Sequence, residues 1–149
     1  MTRRTALDRL LVRARSRLAR LRPRQAATAV GGGALIVDIR PEYQRRADGE
    51  IPAAIVIERN HLEWRLHPAS AWHIPEATDA RVRWIVICDE GYASSLAAAT
   101  LRHIGLTAAT DVIGGFQAWR AARLPVSKRR QPTRPRLVSS DNRPAGRRS

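Results

Sequence analysis

The residue best placed to do chemistry is Cys88, the single cysteine among 149 residues. It ends the apolar run 84–88 (WIVIC), and the five residues 89–93 separate it from a helical pattern that begins at Ser94. A strand, a short loop and a helix in that order turn the loop amides and the helix N-terminus toward the sulfur. Converging N–H groups favour an anion and lower a thiol pKa. A thiolate held this way is a nucleophile, and the amides of residues 89–94 would equally cradle a persulfide anion. Gly91 supplies the backbone freedom such a tight loop needs. On this reading Cys88 attacks a sulfane sulfur, carries it as a persulfide and passes it to an acceptor. Asp89 and Glu90 directly follow the cysteine. Facing the sulfur, they would raise its pKa and repel anionic donors such as thiosulfate; facing outward, they would act as a filter. The plainer alternative is that Cys88 is one more small apolar residue at the end of a buried strand, and spacing alone favours it.

The elements that must position this loop are legible as apolar runs and breaks. Residues 34–39 (ALIVDI), 54–57, 84–88 and 110–113 read as short strands. The run 84–88 is apolar without alternation, which suits a parallel strand covered on both faces. Helices are expected over 41–46, 94–104 and 116–122, with Ser94 or a neighbour as N-cap and Gly105 at the end of the long one. Residues 5–21 carry Leu7, Leu10, Leu11, Ala14, Leu18 and Leu21 at three- and four-residue steps, opposite Arg9, Arg13, Arg17 and Arg20, and predict one amphipathic helix packed on its own domain. Residues 24–30 predict a second short helix, with Pro23 ending the first pattern or beginning this one. Residues 58–79 read as a long connection with some helix. Alternating strands and helices give an α/β fold with a mainly parallel sheet, whose sites form at the carboxyl ends of strands. Cys88 stands at one of them.

The formal net charge of +14 is unevenly spread. Residues 1–25 hold nine Arg and one Asp, a balance of +8; residues 127–149 hold eight Lys/Arg and one Asp, a balance of +7. Residues 26–126 hold ten Arg against eleven Asp/Glu and are nearly neutral. The basicity therefore describes the two ends and not the site. Three segments follow: a basic helical extension (1–25), a folded domain (26–126), and an Arg/Pro-rich tail (127–149) too poor in apolar residues to order itself. The tails could touch nucleic acid or anionic lipid without specificity, since neither contains an aromatic residue for base stacking. No apolar run is long enough to span a bilayer and no secretory signal is visible, so a cytoplasmic location is expected.

The stretch from about residue 34 to 125 resembles a single rhodanese-like domain. Leu35-Ile36-Val37-Asp38-Ile39-Arg40 resembles the family's strand motif ending in Asp and Arg. Gly49-Glu50-Ile51-Pro52-Ala53-Ala54 resembles its Gly-His-Ile-Pro-Gly-Ala turn, with Glu50 and Ala53 as departures. Ile85-Val86-Ile87-Cys88 and the loop to Ala93 match its active-site strand and loop. Gly114-Gly115-Phe116-Gln117-Ala118-Trp119, followed by Leu124-Pro125, resembles its C-terminal element. The resemblance implies a three-layer fold, with helices on both faces of the sheet, and sulfurtransferase activity through Cys88, with Asp89, Glu90, Gly91, Tyr92, Ala93 and Ser94 forming the substrate loop. Asp38 and Arg40 would organise the floor of the site. The donor would be a small-molecule or protein-bound persulfide and the acceptor a thiol, with no metal or organic cofactor. Many active members have Arg where this chain has Ala93, and the loop contains no basic residue. Thiosulfate is therefore a poor candidate donor. The same absence argues against the related phosphatases, which need an Arg on the loop. A non-catalytic module that binds a partner or senses oxidants through Cys88 is the alternative.

Other residues have plainer readings. Tyr92 either closes over the sulfur or faces solvent, and the hydroxyls of Ser94 and Ser95 either cap the helix or donate to a bound sulfur. His61, His67 and His73 are spaced six apart, which suits neither a helix face nor a usual zinc site, and read as surface histidines. Arg59, Asn60 and His61 follow a strand end and are expected to border the pocket. Trp64, Trp72, Trp84 and Trp119 read as packing residues. Gly31-Gly32-Gly33 precedes a strand, whereas a phosphate-binding loop follows one.

Overall fold

In the computed structural model, which describes residues 3–128, the chain runs through α1 (Ala6–Arg15), α2 (Pro23–Gly31), β1 (Leu35–Asp38), α3 (Glu42–Asp48) and β2 (Ile55–Val56). A 3₁₀ turn (Arg59–His61) leads into α4 (Leu62–Leu66), followed by β3 (Trp84–Ile87), α5 (Ala93–His103), β4 (Thr110–Asp111) and α6 (Gly115–Ala121). The strands form one parallel sheet in the order β2-β1-β3-β4. The central pair runs in register from Leu35 opposite Trp84 to Asp38 opposite Ile87.

The lack of alternation in the central strands has a direct cause: both faces are covered. Val37, Trp84 and Val86 point to one face, where Leu62, Leu66, Ala97 and Leu101 cover them. Ile36, Ile85 and Ile87 point to the other, against Ala26, Phe116 and Trp119. The side-chain period of two thus sorts one apolar run into two cores, and the three-layer α/β arrangement follows.

The N-terminal segment departs from the single long helix its periodicity predicts. A capping box at Thr5 and Asp8 starts α1, which stops at Arg15 with Ser16 as C-cap. The chain then turns, and Leu21 bridges Val112 in parallel beyond β4. Leu21 N–H donates to Asp111 O at 3.0 Å, and Ile113 N–H donates to Leu21 O at 2.8 Å. These sheet bonds outcompete another helical turn, and Pro23 begins α2. Ala14 is buried and Leu18 packs on the core, but Leu7 and Leu10 remain exposed. The apolar stripe is therefore only partly covered by its own domain.

A further difference concerns packing. Trp84 and Trp119 are buried as expected, whereas Trp64 and Trp72 are 58% and 71% exposed. Leu62, Leu66, Ile74 and Ala77 do the packing in that connection instead. At the far end, Ser127 and Glu50 exchange two backbone bonds, and Trp119 Nε1–H donates to Pro125 O at 3.0 Å. The tail expected to be disordered lies, from residue 129 onward, outside the described residues. No helix among the described residues is long and apolar enough to cross a membrane.

Candidate active site at Cys88

Cys88 follows β3 directly, and its side chain falls on the face covered by α5. Its Sγ receives two backbone N–H groups, from Gly91 at 3.1 Å and from Ser94 at 3.3 Å. The N-cap of α5 is Tyr92, whose side chain makes no capping bond. The sulfur itself accepts from the first turn, in the place where a Ser or Asp oxygen usually does so. Ser94 is thus not the cap. Its amide serves the sulfur, while its hydroxyl donates to Asp111 Oδ2 at 2.7 Å.

Two glycines let the backbone close in. Gly91 has φ +87°, and a Cβ there would stand 2.8 Å from Gly114 N. Gly115 has φ +59°, and a Cβ there would stand 2.5 Å from Cys88 O. That approach lets the first turn of α6 bond the loop's carbonyls: Phe116 N–H donates to Cys88 O at 2.8 Å and Gln117 N–H to Asp89 O at 3.0 Å. The Gly-Gly-aromatic element therefore fixes the start of the Cys88 loop from below.

The direction of Asp89 is resolved by its partner. Gln117 Nε2 donates to Asp89 Oδ1 at 2.9 Å and to Asp48 Oδ2 at 3.1 Å. Asp89 is thereby drawn toward α6, on the opposite face from the sulfur. Glu90 is exposed. Both still border a cavity of about 450 Å³ that also touches Arg40, Arg59, Cys88 and Tyr92. Tyr92 is exposed and lies under the Arg15 guanidinium, 5.5 Å from ring centroid to Cζ. Gly91 and Ser94 sit behind the sulfur, and Ala93 lies on the cavity rim.

Asp38 and Arg40 form a buried pair at the carboxyl end of β1. Arg40 Nη2 donates to Asp38 Oδ2 at 2.8 Å and to Gly49 O at 2.9 Å, and its guanidinium lies 3.7 Å from the Phe116 ring centroid. Arg40 Nη1 is buried without a partner among the described residues. Of the three residues expected to border the pocket after β2, Arg59 does so, ion-paired with Glu63 at 2.6 Å; Asn60 and His61 do not. His61 and His73 are exposed and His67 is half-buried, and no group of three His, Cys, Asp or Glu among the described residues is placed to hold a metal ion.

Behind the loop lie contacts that no sequence pattern indicates. Arg15 Nη2 and Arg20 Nη2 both donate to Gly91 O, at 2.9 and 3.0 Å. Arg20 Nε donates to Asp111 Oδ1 at 2.9 Å, and Asp111 is fully buried. Ser95 Oγ lies 2.9 Å from Asp111 Oδ2 and accepts from Arg15 Nε at 3.0 Å. Nothing local in the sequence pairs residues 15 and 20 with 91 and 111.

Comparison with known proteins agrees with this fold. Structurally, the chain is similar to a protein of unknown function from Rhodopseudomonas palustris, described as a possible tyrosine phosphatase. The TM-score is 0.75 with 29% identity, over 85% of this chain and 98% of that one. It is also similar to the human single-domain sulfurtransferase TSTD1, with TM-score 0.55 and 26% identity over 66% of this chain and 91% of that one. In sequence, 85 residues are 35% identical to a maize adenylyltransferase and sulfurtransferase, MOCS3-1. That match takes in 57% of this chain but only 18% of the maize protein's length. The rhodanese-like domain family model matches residues 22–122. A parallel sheet in this order, a cysteine cradled at the end of its third strand and a family match over most of the chain lead to one conclusion: the protein belongs to the rhodanese-like domain family.

Proposed function

We propose that the protein is a sulfurtransferase that carries sulfane sulfur on Cys88. The observation that carries the reading is the pair of amides, from Gly91 and Ser94, directed at one sulfur beside an open cavity. Amide donors aimed at an anion stabilise it in a site that water reaches poorly. In the first step the Cys88 thiolate attacks the outer sulfur of a donor persulfide. The new Cys88 S–S bond forms as the donor's S–S bond breaks, and the donor leaves as a thiolate. In the second step an acceptor thiolate attacks the outer sulfur, takes it as its own persulfide and releases the Cys88 thiolate. No net oxidation occurs, and no metal or organic cofactor is needed.

The cavity's charges favour a persulfide on a neutral small thiol or on a protein over thiosulfate. Arg40 and Arg59 border it, but each is matched by its own carboxylate partner, and Glu90 adds an exposed negative charge. A phosphatase reading would need a guanidinium on the loop to grip phosphoryl oxygens. Residues 89–94 contain none. A reducing, cytoplasmic setting suits a carrier with one free thiol.

The test is intact mass after incubation with thiosulfate and, separately, with a small persulfide. One added sulfur, removed by cyanide or a thiol and absent from Cys88→Ser, is the expected result, with the persulfide the faster donor. No added sulfur from either donor would sink the reading and leave Cys88 as a sensor or packing residue in a binding module.

A further inference from the structure

The Cys88 loop has no basic residue of its own, yet two guanidiniums reach it from behind. We propose that Arg15 and Arg20, together with Asp111, are positioning residues that hold the sulfur cradle in its working shape. Only the catalytic consequence rests on the sulfurtransferase reading; the geometry stands apart from it.

Two amides serve the sulfur, and both belong to residues tied into this bracket. Gly91 gives its N–H to Sγ while its carbonyl takes Arg15 and Arg20. Ser94 gives its N–H to Sγ while its hydroxyl is held by Asp111. Asp111 in turn binds the Arg20 fork through both oxygens, at 2.9 and 3.2 Å. A buried carboxylate needs such partners, because each unmet lone pair there is costly. Gly91 has φ +87° and, as the one glycine of residues 89–93, is intrinsically the most pliable point of the loop. Pinning its carbonyl removes that pliability, so the N–H stays aimed at the sulfur. The fork geometry matters: one planar guanidinium spans Gly91 O and Asp111 at once, which an ammonium point charge does not reproduce. The bracket also carries two positive charges against one negative. All of this comes from a segment that precedes the family match at residue 22, and from an aspartate on β4.

The experiment uses the full chain with Arg15→Ala, Arg20→Ala, the double variant, Arg20→Lys, and Arg17→Ala as an exposed neighbour. Two rates are read by intact mass: sulfur loading from a small persulfide, and alkylation of Cys88 by iodoacetamide. The final extent of each and the melting temperature are recorded alongside. The double variant should load and alkylate about 10-fold more slowly, about 1.4 kcal/mol, yet reach full extent. The KM for the acceptor thiol should not change, and Arg17→Ala should stay within about 2-fold of the parent by the same conversion. Arg20→Lys, which keeps the charge and the fold, should still be slow. Unchanged rates in the double variant overturn the proposal, and so does a loss of extent at unchanged rate, which marks mere unfolding. A parent-like rate in Arg20→Lys also overturns it. If the parent takes up no sulfur, the sulfurtransferase reading fails by itself, and the iodoacetamide rates still decide the bracket.

Discussion

Gly115→Ala is the sharpest test of how α6 supports the Cys88 loop. The new Cβ would lie 2.5 Å from Cys88 O and 2.7 Å from Asp89 C and O, all backbone atoms that cannot rotate away. Relief requires α6 to back off, which lengthens the bonds from Phe116 and Gln117 to the loop carbonyls. Overpacking of this kind costs about 1–3 kcal/mol, and two weakened backbone bonds add about 1 kcal/mol each. The sum is roughly 3–5 kcal/mol, a large share of the ~5–15 kcal/mol that holds a domain together. In urea, with a slope near ~1.5 kcal/mol per molar, the midpoint should fall by about 2–3 M. Gly105→Ala is the matched control. Gly105 has φ +98°, further from the left-handed well than the +59° of Gly115, but a Cβ there meets nothing within 4 Å. Backbone strain alone, about 1–2 kcal/mol, therefore predicts Gly105→Ala to be the worse substitution, and close approach predicts the reverse. Equal midpoints, or a lower one for Gly105→Ala, would refute the role given to the Gly114–Gly115 turn.

Other expectations follow from single contacts. Asp38→Ala leaves the Arg40 guanidinium buried beside an unfilled partner position; urea unfolding should show a loss of about 3–5 kcal/mol, against less than ~0.5 kcal/mol for the exposed Arg46→Ala. Gln117→Ala frees Asp89, so alkylation of Cys88 by anionic iodoacetate should slow roughly 2- to 5-fold relative to neutral iodoacetamide; a constant ratio would show that Asp89 does not sense the sulfur's surroundings. Asp8 has its pKa held below its ordinary 3.8 by the Thr5 backbone N–H and then by the Thr5 hydroxyl. A carboxylate with a depressed folded pKa supports the fold above its unfolded value and loses that support as pH falls through the folded one. The capping box at the start of α1 should therefore weaken only below about pH 3.8, and Thr5→Ala should raise the Asp8 midpoint in a carboxyl NMR titration.

The sheet was legible because its strands are short unbroken apolar runs bounded by glycine, proline or charge. Cys88 was legible because it ends the clearest of them, and the loop length followed from where α5 begins. What the residues did not disclose was non-local. The direction of Asp89 depends on Gln117, 28 residues away, and the support of Gly91 depends on arginines 76 and 71 residues away. Arg20 reads as one more charge on a polar helix face, and nothing in the local pattern singles out Arg15. Asp111 read as an ordinary strand residue, although it is the buried acid that joins both ends of the loop's support. Leucine spacing predicts one helix over residues 5–21 because it continues smoothly from α1 into a segment that pairs beside β4 instead. Trp64 and Trp72 read as packing residues by type, whereas the smaller Leu62, Leu66 and Ile74 do the packing there.

The strand-like pairing of Leu21 with Val112 also sets an order of events during synthesis. The segment that bears Arg15 and Arg20 leaves the ribosome early, but Asp111 is made 91 residues after Arg20. At about 5–20 residues per second, that interval is roughly 5–18 s. For that time the nascent chain has its arginines but not their carboxylate, and Cys88, once made, lacks the brace behind its loop. The final contacts close over long loops, which are slow to form. The cradle around Cys88 is thus complete only when the rest of the domain is in place.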